Sequence, residues 1–253
     1  MSGLLTVRAV LLFLFSHRFL AAARWDFYFV KLRLANTISR QPRRIRKFVA
    51  NRRKPMYLNL GCGPRGIQDS HWVNVDGFRD ENVQFLLDIS RPLPFQDNLF
   101  DGVFCEHVLE HFPMADGLAI AREVFRILRP EGCFRIVVPD GELVIRRYFD
   151  APSELIARRG TNTETAMEIV NVYFRQRYEH QFMYDWTTIE KMLSIAGFPS
   201  VARVSYGKSD YSSCIALDDE KYEWESLYVE ASKFQRPKKR LGIYAEHGQK
   251  PGA

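Results

Sequence analysis

The segment Tyr57-Leu58-Asn59-Leu60-Gly61-Cys62-Gly63-Pro64 constrains this chain more than any other stretch. A short apolar run ends on two glycines one residue apart, where a buried strand must turn sharply and leave its backbone open to a ligand. With Gly66 the segment matches G-x-G-x-x-G, a pattern that by itself does not select one ligand over another.

Downstream of this loop the chain has the rhythm of a parallel sheet. Apolar runs bounded by turn residues recur at 56–60, 72–76, 83–87, 101–105 and 133–138, and each reads as a strand. A helix is predicted over 115–128, stopped by Arg129-Pro130-Glu131-Gly132, since proline cannot continue it and glycine supplies the turn. Residues 150–186, more polar and aromatic, read as an insertion or lid. Thr187-Thr188-Ile189-Glu190 reads as a capping box opening a second helix that stops at Gly197. Strands at 200–206 and 226–231 complete the sheet. Between Gly63 and the second strand stand only residues 64–71, fewer than the ~10–12 that a crossover with its helix takes. The first helix is therefore expected to be shortened or irregular.

Charge divides the chain. Of its net +6, the first 54 residues carry thirteen Lys and Arg against the single acid Asp26, a net +12, and the remainder sums to −6. Residues 1–54 read as a basic amphipathic arm and linker, 55–235 as the globular domain, and 236–253 as a basic tail. From Leu4 to Leu34 aromatic and aliphatic residues alternate with Arg8, Arg18, Arg24, Lys31 and Arg33, a composition that suits an anionic membrane surface, nucleic acid, or a helix laid across its own domain. The longest apolar run there, 9–15, is shorter than the ~20 residues of a membrane span. Four scattered cysteines, without C-x-x-C, point to neither a disulfide framework nor a zinc site, and the expected location is cytoplasmic.

Acids follow the predicted strands at the right places for a nucleoside. Asp76 closes the second strand, where a carboxylate accepts ribose hydroxyls, and Asp88-Ile89 follows the third, where an acid can accept from an adenine amino group. The series Asn59-Leu60-Gly61-Cys62-Gly63, Asn74-Val75-Asp76, Leu87-Asp88-Ile89, Leu93-Pro94-Phe95, Phe100-Asp101, Val108-Leu109-Glu110-His111 and Leu128-Arg129-Pro130-Glu131-Gly132 resembles the class I S-adenosylmethionine-dependent methyltransferases. Later segments, His180-Gln181-Phe182-Met183-Tyr184-Asp185 and Glu225-Ser226-Leu227-Tyr228-Val229-Glu230-Ala231 among them, are similar to predicted bacterial methyltransferases associated with surface polysaccharide synthesis. The resemblance implies an α/β, Rossmann-like three-layer sandwich with a mostly parallel seven-stranded sheet, its last strand antiparallel. It implies S-adenosylmethionine as cofactor, held by Asn59, Gly61, Cys62, Gly63, Asp76, Asp88, Ile89 and Glu106, and O-methylation of a saccharide or lipid-linked saccharide.

Methyl transfer to a hydroxyl needs alignment and a base. His107 and Asp140, at the C-terminal edge of the sheet, and His180, in the insertion, are the candidates for catalysis. Glu106-His107-Val108-Leu109-Glu110-His111 is similar to the Glu-x-x-Glu-His with which small-RNA 2′-O-methyltransferases hold magnesium, but here His107 stands at the first acid and the ligand set is incomplete, so no metal is expected. Two alternatives stay open: an RNA methyltransferase using the basic arm, and a methyltransferase-like binding module without turnover.

Overall fold

A computed structural model describes residue 14 and residues 17–159, 163–176, 179–209, 211 and 217–234 of the chain; the predicted tail at 236–253 lies outside the described residues. Among them, the chain order is α1 (His17–Ile38), α2 (Gln41–Ala50), β1 (Tyr57–Leu60), β2 (Trp72–Asp76), β3 (Phe85–Leu86), β4 (Phe100–Glu106), α3 (Met114–Ile127), β5 (Leu128–Pro139), α4 (Gly141–Asp150), α5 (Pro152–Arg159), α6 (Ala166–Arg175), α7 (Trp186–Ala196), β6 (Ser200–Val204) and β7 (Ser226–Ser232).

The strands form one seven-stranded sheet in the order β3-β2-β1-β4-β5-β7-β6. Neighbouring strands from β3 to β5 pair in parallel, and β7 runs antiparallel to both β5 and β6. This is the Rossmann-like sheet expected from the sequence. Strand β2 is buried at every position, as a strand covered on both faces must be, its polar Asn74 and Asp76 included. Strand order reverses between β1 and β4, so a crevice opens at the carboxyl ends of those two strands, the ordinary ligand position in such a sheet.

Several local expectations change. The stretch from Gly61 to His71 contains no helix at all, only turns and extended chain. Strand β3 is two residues long rather than five. Helix α7 is capped not at Thr187 but at Asp185, whose side chain accepts from the Thr188 amide. The Thr187 hydroxyl instead donates to Asp185. The aspartate is the better cap because its charged oxygens meet the positive end of the helix. The Gly197 stop holds, at φ 113°. Strand β5 begins early, at Leu128, and its pairing with β4 is interrupted around Arg129–Gly132 before resuming at Gly102–Cys133.

The basic linker is part of the domain. Helix α2 turns its basic residues outward and sinks Ile45 and Val49 into the main core beside Met56 and Leu58. The insertion is helical, built from α4, α5 and α6 around Val144, Leu155, Ile169 and Tyr173. Of its aromatic residues Tyr173 is buried, whereas Phe149 and Phe174 are exposed.

Candidate active site

The glycine loop is shaped by contact with the chain that follows β4. Gly61 has φ 74°, and a Cβ there would lie 2.3 Å from a Val108 methyl, so no other residue fits. Gly63, at φ 48°, faces open space, with no atom within 4 Å of where its Cβ would stand. That opening is the cradle the motif predicts. Beside it, Asp76 accepts from the amides of Gly63 and Phe78, at 2.8 and 2.7 Å. A carboxylate has about four lone-pair positions, so two remain for a diol.

Asp88 sits across β2 and β3. Its Oδ1 accepts from the amide and hydroxyl of Ser90, and its Oδ2 from Arg33 on α1. One acceptor position remains, enough for an adenine amino group. Helix α1 closes this side of the cleft. Tyr28 donates to the Gly77 carbonyl, Asn36 to the Leu86 carbonyl, and Trp25, Tyr28 and Phe29 pack on Phe78. Nothing in the sequence of the arm marks Arg33 as the partner of Asp88, because the contact spans 55 residues. The open cradle, the Asp76 lone pairs and the Asp88 position together fit an adenosyl ligand.

The other predicted donor-site residues have partners of their own. Asn59 is buried and donates to the Arg65 carbonyl and to Asn74, shaping the loop from beneath. Glu106 is ion-paired with Arg65 and accepts from the Asp219 amide, tying the glycine loop to the turn before β7. Ile89 is buried in the core. Cys62 is buried, and that burial pushes its thiol up to about 12.

Two of the three sequence-predicted catalytic candidates, His107 and His180, converge after β4. His107 holds the left-handed conformation, φ 52°, an uncommon one for a side-chain-bearing residue and a frequent mark of functional loops. Its Nδ1 lies 3.2 Å from Glu110 and its Nε2 3.1 Å from the Ser226 hydroxyl, while its ring stacks on Tyr222 at 4.0 Å. His180 comes in from the far end of the insertion, because the amides of Gln181 and Phe182 both donate to the Glu110 carbonyl. Its ring meets that of His111 edge to face at 5.0 Å. Burial lowers the His180 pKa, against the pull of its Tyr173 carbonyl contact, so the ring is neutral near pH 7.

Asp140 stands apart from this group. It caps α4 through the Leu143 amide and pairs with Arg203 at 3.0 Å. Burial raises its pKa, partly offset by that amide and by Arg203. With Glu142, Leu143, Arg146 and Arg203 it lines a cleft of about 360 Å³ at the carboxyl edge of the sheet.

Comparison with known proteins finds likeness to methyltransferases. Residues 68–136 match the family model described as "Methyltransferase domain". A 67-residue stretch is 33% identical to a sterol 24-C-methyltransferase of Yarrowia lipolytica, covering 26% of this chain and 17% of that one. The chain thus spans about a sixth of the curated relative it matches. Among solved structures, a SAM-dependent methyltransferase from Archaeoglobus fulgidus is 14% identical, with TM-score 0.44 over 78% of this chain and 93% of the other. A Thermotoga maritima SAM-dependent methyltransferase, titled a possible histamine N-methyltransferase, is 14% identical with TM-score 0.45, over 84% and 96%. At such scores the reactions of those two proteins do not bear on this one. Asp76, Asp88 and the loop after β4 all fall within the stretch that is similar to a methyltransferase domain, and the glycine loop at 61–63 lies just before it.

Proposed function

We propose that the chain uses S-adenosylmethionine to methylate a hydroxyl group of a saccharide or lipid-linked saccharide, working peripherally at the cytoplasmic face of a membrane. The observation that carries the choice of donor is the helix-free crossover from Gly61 to His71. A dinucleotide relies on a helix N-terminus at that place to hold its pyrophosphate. S-adenosylmethionine has no phosphate to hold, and the Asp76 and Asp88 carboxylates serve its ribose and adenine.

When bound, the donor supplies an electrophilic methyl group on a sulfonium. The chain's own work is then alignment, exclusion of water and removal of the acceptor proton. His107, His180 and Asp140 are the groups available for that last step. A neutral His180 can accept a proton near pH 7, while Asp140 is engaged by Arg203. Asp140, Arg146 and Arg203 supply both acceptors and donors to a polyhydroxyl ligand in the adjoining cleft.

The membrane reading draws on α1. Phe27, Val30, Leu34 and Ile38 are exposed and recur at helical spacing, forming one apolar stripe beside Arg24 and Lys31. Among the described residues no helix is long and apolar enough to cross a membrane. RNA is the competing partner for the basic arm. Isothermal calorimetry with S-adenosylmethionine, S-adenosylhomocysteine and NAD tests the donor; binding of NAD alone, or of none, defeats the proposal. Anionic vesicles and a short single-stranded RNA, each offered to the full chain and to Phe27→Ser/Leu34→Ser, separate the two surfaces. Loss of vesicle binding supports the membrane, and salt-sensitive RNA binding unaffected by the substitutions supports nucleic acid.

A further inference from the structure

Glu110 is wholly buried, and neither of its carboxylate oxygens makes a well-aligned hydrogen bond, although His107 Nδ1 stands 3.2 Å from one of them. Around it stand imidazoles. One Glu110 oxygen, one ring nitrogen of His111 and one of His180 lie within 4.8 Å of one another. The Nδ1 of His180 is 2.5 Å from the Tyr173 carbonyl, and that of His111 is 3.2 Å from the Glu179 carbonyl. A carbonyl can only accept, so each Nδ1 carries the hydrogen and each Nε2 is left with a lone pair. This is the arrangement by which backbone carbonyls orient metal-binding histidines. Two imidazole lone pairs thus face a buried carboxylate, with His107 the further basic side chain 3.2 Å from it.

We propose that Glu110, His111 and His180 bind a divalent transition-metal ion, with His107, 3.2 Å from the same carboxylate, as a fourth or outer partner. The donor set decides the class of ion. Magnesium and calcium take shells made mostly of oxygen, whereas imidazole with one carboxylate suits zinc, manganese, iron, cobalt or nickel. The absence of a metal expected from the sequence rested on the run 106–111 alone, and the missing ligand arrives from the insertion. At that 4.8 Å limit each ligand atom stands about 2.8 Å from a common centre, so bonds of about 2.1 Å require each to move in by about 0.7 Å or less.

The location gives the ion a use, which rests on the methyl-transfer reading although binding itself does not. Val108, two residues before Glu110, is the residue that packs on Gly61 of the donor loop. Three protein ligands leave open positions for an exogenous oxygen, and a hydroxyl bound there loses its proton more readily. The ion would hold the acceptor hydroxyl beside the donor and lessen the need for a strong base.

The test uses the full chain, stripped with chelator and dialysed, then titrated with Co²⁺. The expected result is a visible d–d absorption saturating at one equivalent, displaced by Zn²⁺ and unaffected by excess Mg²⁺. His111→Asn and His180→Gln should each weaken Co²⁺ binding at least about tenfold. Far-ultraviolet circular dichroism melts identify any variant that fails to fold, and the less buried His111 keeps the test open if His180→Gln is lost. Absence of both absorption and calorimetric heat with Co²⁺, Zn²⁺ and Mn²⁺ overturns the proposal, as does unchanged affinity in a folded variant. Donor calorimetry in the presence of chelator runs in parallel. Donor binding without any cobalt binding defeats the metal site alone, and cobalt binding without donor binding defeats only the methyl-transfer reading.

Discussion

Arg33 of α1 donates to Oδ2 of Asp88 at 2.7 Å, so the N-terminal helix holds one side of a carboxylate at the donor cleft. Ser90 holds the other oxygen through its amide and hydroxyl. Asp88→Ala removes the acceptor for an adenine amino group and should raise the Kd for S-adenosylmethionine about tenfold, the value of one good hydrogen bond to a charged group. Arg33→Ala leaves Ser90 in place and should raise it by no more than about fivefold, since a half-exposed ion pair contributes about 1 kcal/mol or less. Calorimetry on both variants decides. An Arg33→Ala loss as large as that of Asp88→Ala would mean that the helix, not the acid, carries the binding.

The two glycines of the loop should fail in different ways. Gly61→Ala combines a strained φ of 74° with a Cβ 2.3 Å from Val108, and should cost roughly 2–4 kcal/mol in urea unfolding. Gly63→Ala meets no protein atom and carries only the backbone penalty, about 1–2 kcal/mol. Its methyl group would point into the cradle, so donor affinity should fall at least about tenfold, by the steric cost of crowding a fitted ligand. Equal stability losses in the two variants would contradict the assignment of their surroundings.

Much of this was legible because it is local. The buried strands announce themselves as short, mostly apolar runs between turn residues, and a shortened or irregular first crossover follows from a count of residues between Gly63 and Trp72, which the structure carries further to no helix at all. Asp76 and Asp88 are found because each closes or follows a strand. What could not be read is set by contacts distant in sequence. Arg33 reaches Asp88 across 55 residues, and Arg65 reaches the Leu217 carbonyl across 152. His180 is brought to Glu110 by two backbone hydrogen bonds that leave no side-chain pattern. The Asp185 cap was missed for a different reason, since Asp185, Thr187 and Thr188 are all competent caps and the aspartate's charge at the positive helix end decides among them.

Arg135 is a third point of test, this time of stability. Fully buried at the centre of β5, it donates to Asp218 and, at 2.9 Å, to Glu230, and also to the Ser205 and Lys208 carbonyls. Arg135→Met keeps the volume but leaves two carboxylates facing apolar surroundings, and should destabilise the fold by about 3–5 kcal/mol. The loss has a partner-dependent signature. The guanidinium serves both acids at once, so Asp218→Asn in the Arg135→Met background should recover part of the deficit. An unchanged deficit in urea unfolding of the double variant would show that packing alone is at stake.

Burial also makes a prediction about the thiols. Cys62 stands between the two loop glycines, where a reactive cysteine would be exposed to any alkylating reagent entering the cleft. Its side chain is instead buried, and desolvation followed by the nearby Asp76 charge pushes the thiol up to about 12. At pH 8 the thiolate fraction is then on the order of 10⁻⁴, against about a quarter for a free cysteine of ordinary pKa. Cys105 and Cys133 are buried as well, and burial likewise raises the Cys105 thiol. Iodoacetamide at pH 8, followed by peptide mass mapping, should leave all three unmodified for many half-lives of a free thiol and label them fully in urea. Because Cys62 lies in the donor loop, rapid labelling of that residue alone in the folded chain would mean that the loop opens on its own, and that the cradle at Gly63 is not preformed.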